Sequence, residues 1–160
     1  MLRSVIRESK KTCFLIAVCA LVLIHFSFKP GMSEQEMLVW GNRCLSESYD
    51  PSGEVKLKKW EFTLTPDAFV RLKKDYTNGK EEYYSFHLHR YKDMNYLGTT
   101  ASGTLQLTAI ADDIIVQTKD DPKGDIDSMA TQINIPVKNM EPERLDSLQV
   151  ALKYFRDKSL

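Results

Sequence analysis

The sequence contains only three cysteines, too few for a disulfide framework. Two of them, Cys13 and Cys19, lie in an apolar segment near the N-terminus, which leaves Cys44 alone in the rest of the chain. An intradomain disulfide is therefore excluded, and Cys44 is expected to be a buried thiol or to link two chains. No Asn-x-Ser/Thr acceptor occurs in the sequence, so N-glycosylation is excluded as well.

An excess of positive charge is also missing. The whole chain balances 22 basic against 22 acidic residues. From residue 29 onward there are 18 basic and 21 acidic residues, so this part carries a formal charge of −3. Nucleic-acid binding relies on basic patches that follow the phosphate backbone. We therefore do not expect a nucleic acid as a partner.

One long apolar segment is present, over residues 13–28, and it contains no formally charged residue. Four basic residues and one acidic residue precede it, and Lys29 follows it. A basic head before an apolar core is typical of an export signal or a signal anchor. The residues from His25 to Phe28 are too bulky for a good cleavage site, which favours an uncleaved anchor over a cleaved signal peptide.

This pattern also predicts the topology of the chain. Basic flanks stay in the cytoplasm, so residues 1–12 form a cytoplasmic head and 13–28 a single-pass anchor or a signal peptide. Residues 29–48 are expected to form a linker helix, and 49–160 an extracytoplasmic globular domain. In a bacterium this domain would be periplasmic. The alternative is a protein that is secreted after signal cleavage.

The remaining sequence predicts an α+β fold. Ser33 and Glu36 form a capping box that starts a helix over about 34–46, and Pro142 opens a C-terminal amphipathic helix. Alternation and turn residues predict strands near 54–65, 69–76, 81–91, 104–111, 114–118 and 133–137, with a bulge near Lys58-Lys59. Residues 120–127 are predicted to be a loop.

The strands are joined by tight turns, so they are expected to form one mainly antiparallel sheet of five or six strands. The C-terminal helix has an apolar stripe that would pack on this sheet. The alternative fold is a small β-barrel or sandwich with flanking helices.

Candidate metal ligands are few. His87 and His89 are two residues apart, so their imidazoles would reach one ion from the same face of a strand. The only other histidine, His25, is in the apolar segment, so a carboxylate would have to complete the site. The alternative is a solvated polar face. No catalytic or cofactor motif is present, and we therefore expect neither an enzyme nor a cofactor.

The aromatic residues favour a binding role. Tyrosines concentrate around the hairpin near Asn78-Gly79, and Tyr83, Tyr91 and Tyr96 are the candidate interface residues, because tyrosine is enriched at protein interfaces. The sequence thus predicts a membrane-tethered extracytoplasmic protein-interaction domain, such as an accessory subunit of a cell-envelope assembly or an immunity-type protein. The alternative is an exported protein that binds a small ligand or a metal.

Overall fold

The computed structural model describes residues 31–158, which contain two helices and eight strands. The helices are α1 (Glu34–Ser48) and α2 (Pro142–Lys158). The strands are β1 (Leu57–Leu64), β2 (Phe69–Tyr76), β3 (Glu81–His87), β4 (Tyr91–Gly98), β5 (Ser102–Ala109), β6 (Ile114–Lys119), β7 (Asp127–Ala130) and β8 (Gln132–Lys138). The α+β class is confirmed.

The strands form two antiparallel sheets. One has five strands in the order β1-β2-β3-β6-β7, and the other has three in the order β4-β5-β8. The prediction of one sheet with five or six strands is therefore wrong. Residues 81–91 do not form one strand, because a 3-10 turn at Leu88–Arg90 leads the chain from β3 in one sheet to β4 in the other. The predicted loop over 120–127 ends where β7 begins.

Three strand pairs pass from one sheet to the other, and their bends lie side by side. β3, β6 and β7 are joined directly to β4, β5 and β8, respectively. Arg90 in the first bend forms an ion pair of 2.8 Å with Asp113 in the second. The carbonyl of Thr131 in the third bend accepts a hydrogen bond of 2.8 Å from the amide of Ala109. The fold is thus a three-stranded meander bent across its middle, with β1 and β2 added to one half.

Both helices pack on this framework. The predicted capping box at the start of α1 is confirmed, because the Glu36 carboxylate accepts from the Ser33 amide at 2.8 Å and the Ser33 hydroxyl accepts from the Glu36 amide at 3.3 Å. α1 lies against β1, and α2 lies against α1, β4 and the 3-10 turn. α1 lies within the predicted linker helix over 29–48, and its apolar face is buried in the core that both sheets share.

The apolar segment 13–28 lies outside the described residues. Between residues 31 and 158 no helix has both the length and the apolar character to cross a membrane.

Candidate functional site

The five-stranded sheet has two faces with different chemistry, because successive strand residues point to opposite sides. On β2, Val70 and Leu72 face the core, whereas Arg71 and Lys73 face outward. The outward face carries a groove of about 360 Å³. Its lining residues come from β1, β2, β3 and the turn between β1 and β2: Glu61, Thr63, Thr65, Asp67, Phe69, Arg71, Lys73 and Tyr83.

Cations lie over aromatic rings on this outer face. The Arg71 guanidinium is 5.6 Å from the centre of the Phe69 ring. Two ammonium groups lie near the Tyr83 ring, that of Lys73 at 5.4 Å and that of Lys119 at 5.3 Å. Such contacts orient long cationic side chains and keep their apolar stems against the sheet. The predicted interface residue Tyr83 therefore lies in an organised part of the outer face.

The two cations of β2 in the groove differ in how they are paired. Lys73 forms ion pairs with Asp75 at 3.0 Å and Glu81 at 2.9 Å, and these carboxylates raise the pKa of Lys73. Arg71 is exposed and has no carboxylate within 4 Å among residues 31–158. Its cross-strand neighbours are Thr63 and Ser85, which bear hydroxyls. Arg71 thus presents a guanidinium with available donors to an external acceptor.

The two predicted metal ligands are close together. The ring centres of His87 and His89 are 4.5 Å apart, and Nδ1 of His87 accepts a hydrogen bond of 3.3 Å from the backbone amide of His89. Within residues 31–158 no group of three or more histidine, cysteine or carboxylate side chains is placed to hold a metal ion. His87 also lines a cavity of about 290 Å³ beside Asp67 and Phe155. Metal binding at this pair stays a prediction.

The other two predicted interface tyrosines belong to the three-stranded sheet. Tyr91 is only 1% exposed, so it offers a partner almost no area, and its burial raises the pKa of its phenol. Tyr96 is half-buried and donates a hydrogen bond to the carbonyl of Thr99. A Cβ at Gly103 would come within 2.5 Å of the Tyr96 hydroxyl, so this ring lies directly against the backbone at the start of β5. The hairpin therefore does not gather the three tyrosines on one surface.

A buried polar cluster on the inner face was not predicted from the sequence. Lys74 is 7% exposed and forms an ion pair with Glu54. Its ammonium lies 5.9 Å from the ring centre of Tyr49 and 5.7 Å from that of Tyr84. The one signal for this cluster in the sequence was the alternation along β2, in which Val70, Leu72 and Lys74 fall on the same side of the strand.

Hydroxyls and a second carboxylate extend this cluster. The Tyr76 hydroxyl contacts both carboxylates, at 3.3 Å from Glu54 and 2.9 Å from Glu82. Lys80 forms an ion pair of 2.8 Å with Glu82. Burial raises the pKa of Tyr84 to about 12, and the neighbouring carboxylate of Glu82 adds to this effect. The cluster satisfies its own charges, which is the requirement for keeping an ammonium inside a fold.

Comparison with protein-family models, with curated proteins and with solved structures found no match to this chain. The function is therefore inferred from the chain's own geometry. The groove on the outer face is the candidate site, because it combines accessible aromatic rings with an arginine that has no carboxylate partner in the described part of the chain.

Proposed function

We propose that this chain is a membrane-tethered extracytoplasmic protein-interaction domain that binds its partner through the outer-face groove. The observation that carries the proposal is the exposed Arg71, whose guanidinium lies over the Phe69 ring in the groove that Tyr83 also lines. Arginine and tyrosine are enriched among the residues that dominate protein interfaces. A groove in which these side chains are already oriented loses little conformational entropy when a partner binds.

The tether is supported by the sequence of the N-terminal region. Residues 13–28 are apolar and follow a basic head, a pattern that favours a cytoplasmic N-terminus and an exported remainder. An accessory subunit of a cell-envelope assembly or an immunity-type protein would need both a tether and a binding surface. The partner is thus expected to share the compartment outside the cytoplasm.

Photocrosslinking tests the binding surface. A photoreactive amino acid replaces Glu61, an exposed lining residue of the groove, in the full-length chain in its source cells, so that Arg71 stays in place. A matched control replaces Lys153, which is exposed on α2. We expect a discrete protein adduct from position 61 and none from position 153. Adducts of equal yield at both positions, or none at position 61, would contradict the groove as the binding surface.

Membrane fractionation tests the tether. The full-length chain is expected to stay with the membranes after carbonate extraction, and its domain should be digested only by a protease added outside the cytoplasm. A chain that starts at residue 31 serves as the control and should be released from the membranes. Full-length protein in the cytosol would overturn this part of the proposal.

A second candidate function is an exported protein that binds a metal or a small ligand. The observation that favours it is the close pair of His87 and His89, with His87 at a cavity wall. Calorimetric titration with zinc, on the full-length chain and on the variants His87→Ala and His89→Ala, separates the two functions. A single zinc site lost in both variants would favour the second function over the first.

A further inference from the structure

The two edges of the five-stranded sheet are treated differently by the fold. At one edge, β1 is covered by α1, and the side chain of Asn42 binds the backbone of Leu64. Its Nδ2 donates to the Leu64 carbonyl and its Oδ1 accepts from the Leu64 amide, both at 2.7 Å. The amide group thus takes the place of a neighbouring strand at Leu64, and together with α1 it hinders pairing of another chain at this end of β1.

The opposite edge, β7, is open. Within residues 31–158, β7 pairs only with β6, and Asp127, Ser128 and Met129 are exposed. The amide of Thr118 donates to the carbonyl of Ile126, so these two residues form a hydrogen-bonded pair. In an antiparallel ladder such pairs alternate with pairs that are not hydrogen-bonded. The backbone N–H and C=O groups of Asp127 and Met129 therefore point away from β6. The edge therefore presents two N–H and two C=O groups to solvent.

The side chains along this edge indicate what would pair with it. Ile126 and Met129 are exposed by 54% and 53%. The stretch 120–130 contains four aspartates and one lysine. Within residues 31–158 only one of these aspartates, Asp121, forms an ion pair, with Lys80 at 2.9 Å, so the surroundings of these apolar side chains stay acidic. The carboxylate of Asp112, which accepts a hydrogen bond from the Thr131 hydroxyl, adds negative charge at the far end of β7.

We infer that β7 accepts an extended segment of a partner protein as an added strand, and that this segment alternates apolar residues with lysine or arginine. Backbone hydrogen bonds to Asp127 and Met129 supply the pairing, and the acidic surroundings select a basic segment. A second copy of this chain fits poorly, because edge-to-edge pairing would bring two acidic stretches together. This surface is separate from the outer-face groove and extends the proposed function beyond it.

A synthetic peptide provides the probe. An acetylated and amidated nine-residue peptide of alternating lysine and valine is titrated into the full-length chain, and the control peptide has glutamate in place of lysine. We expect the lysine peptide to bind at least tenfold more tightly and to shift the amide resonances of Asp127 and Met129. Equal affinity for the two peptides, or shifts confined to other regions, would overturn the inference.

Three variants locate the site on the edge. Met129→Pro removes an outward N–H and leaves the bonds to β6 intact, because proline is tolerated on edge strands; we expect at least a tenfold loss of affinity. Asp127→Lys should lower the affinity for the lysine peptide and raise the affinity for the glutamate peptide, whereas Ser128→Ala should change neither affinity.

Unchanged affinity in both Met129→Pro and Asp127→Lys would overturn the inference. A wild-type dimer that dissociates in Met129→Pro would also overturn it. The groove test at position 61 is read independently, so failure of one proposal is distinguishable from failure of the other.

Discussion

Lys73 and Lys74 are neighbours in sequence but lie on opposite faces of the same strand. Both are paired with a glutamate and lie near a tyrosine ring. Lys74 is almost fully buried, whereas nearly a third of the Lys73 side chain is exposed. The inner ion pair is removed from solvent, so the folded state depends on it for stability. The outer ion pair stays in contact with solvent, so it contributes little to stability and leaves its face available for binding.

The largest effect is expected from removal of the inner carboxylate. Glu54→Ala leaves the Lys74 ammonium buried without its ion-pair partner, which costs about 3–5 kcal/mol. Urea denaturation of the purified protein measures the change in the free energy of unfolding. A loss below about 1 kcal/mol would mean that water reaches Lys74, and the contrast between the faces would then disappear.

The second-largest effect is expected at alkaline pH, which should lower the stability contributed by the inner face. Burial raises the pKa of Tyr84 to about 12, above the ordinary value of about 10. The folded state therefore holds the phenol proton of Tyr84 more tightly than the unfolded state does. The contribution of this difference to the free energy of unfolding is complete below pH 10 and is lost as the pH rises towards 12. Urea denaturation between pH 8 and pH 11.5 should show falling stability, with a shallower fall in Tyr84→Phe. An identical pH profile in the variant would contradict this role.

Removal of the outer carboxylate is expected to have a small effect. Glu81→Ala takes one partner from Lys73, but Asp75 remains at 3.0 Å and solvent reaches the ammonium. Solvent screens exposed ion pairs, so the free energy of unfolding should change by only a small fraction of the loss expected for Glu54→Ala. The same denaturation experiment, run beside Glu54→Ala, gives a direct ratio between the two faces. Equal losses in both variants would refute the comparison.

The smallest effect on stability is expected at Arg71. Arg71→Ala should alter the free energy of unfolding by no more than about 0.5 kcal/mol, because the side chain is exposed. Arg71→Lys retains the charge but loses the planar guanidinium, so it tests whether the partner needs that geometry. We expect both variants to have the wild-type unfolding curve and reduced recovery of the partner that position 61 crosslinks. A large stability loss would instead indicate a structural arginine.

Local signals in the sequence predicted the elements of this fold. The capping box at Ser33 and Glu36, the bulge before Lys59 and the hairpin at Asn78-Gly79 are all confirmed. Each depends on residues close in sequence, where turn and capping chemistry decides the backbone. The helix that starts at Pro142 is confirmed for the same reason.

The division into two sheets was not predictable in this way. Tyr84, Phe86 and Leu88 look like one continuous inward series, yet the chain turns at Leu88 because tertiary packing overrides local alternation. β7 has too few apolar residues to read as a strand, and only its pairing with β6 defines it.

The candidate site was predicted only in part. Tyr83 was named from composition, and the structure places it in the groove. Arg71 gave no signal, since an arginine between Val70 and Leu72 is an ordinary outward strand residue. The lack of an ion-pair partner for Arg71 within the described residues depends on its neighbours on β1 and β3, and those pairings are long-range.

The bends joined by Arg90, Asp113 and Thr131 have a consequence for how this chain unfolds. Because three stretches of backbone supply strands to both sheets, loss of their hydrogen bonds in one sheet is expected to release them in the other. Amide protons of β5 and β6 are therefore expected to exchange with solvent through a single opening event. The two sheets therefore form one cooperative unit, in which a destabilising substitution in any bend is expected to lower the stability of both sheets.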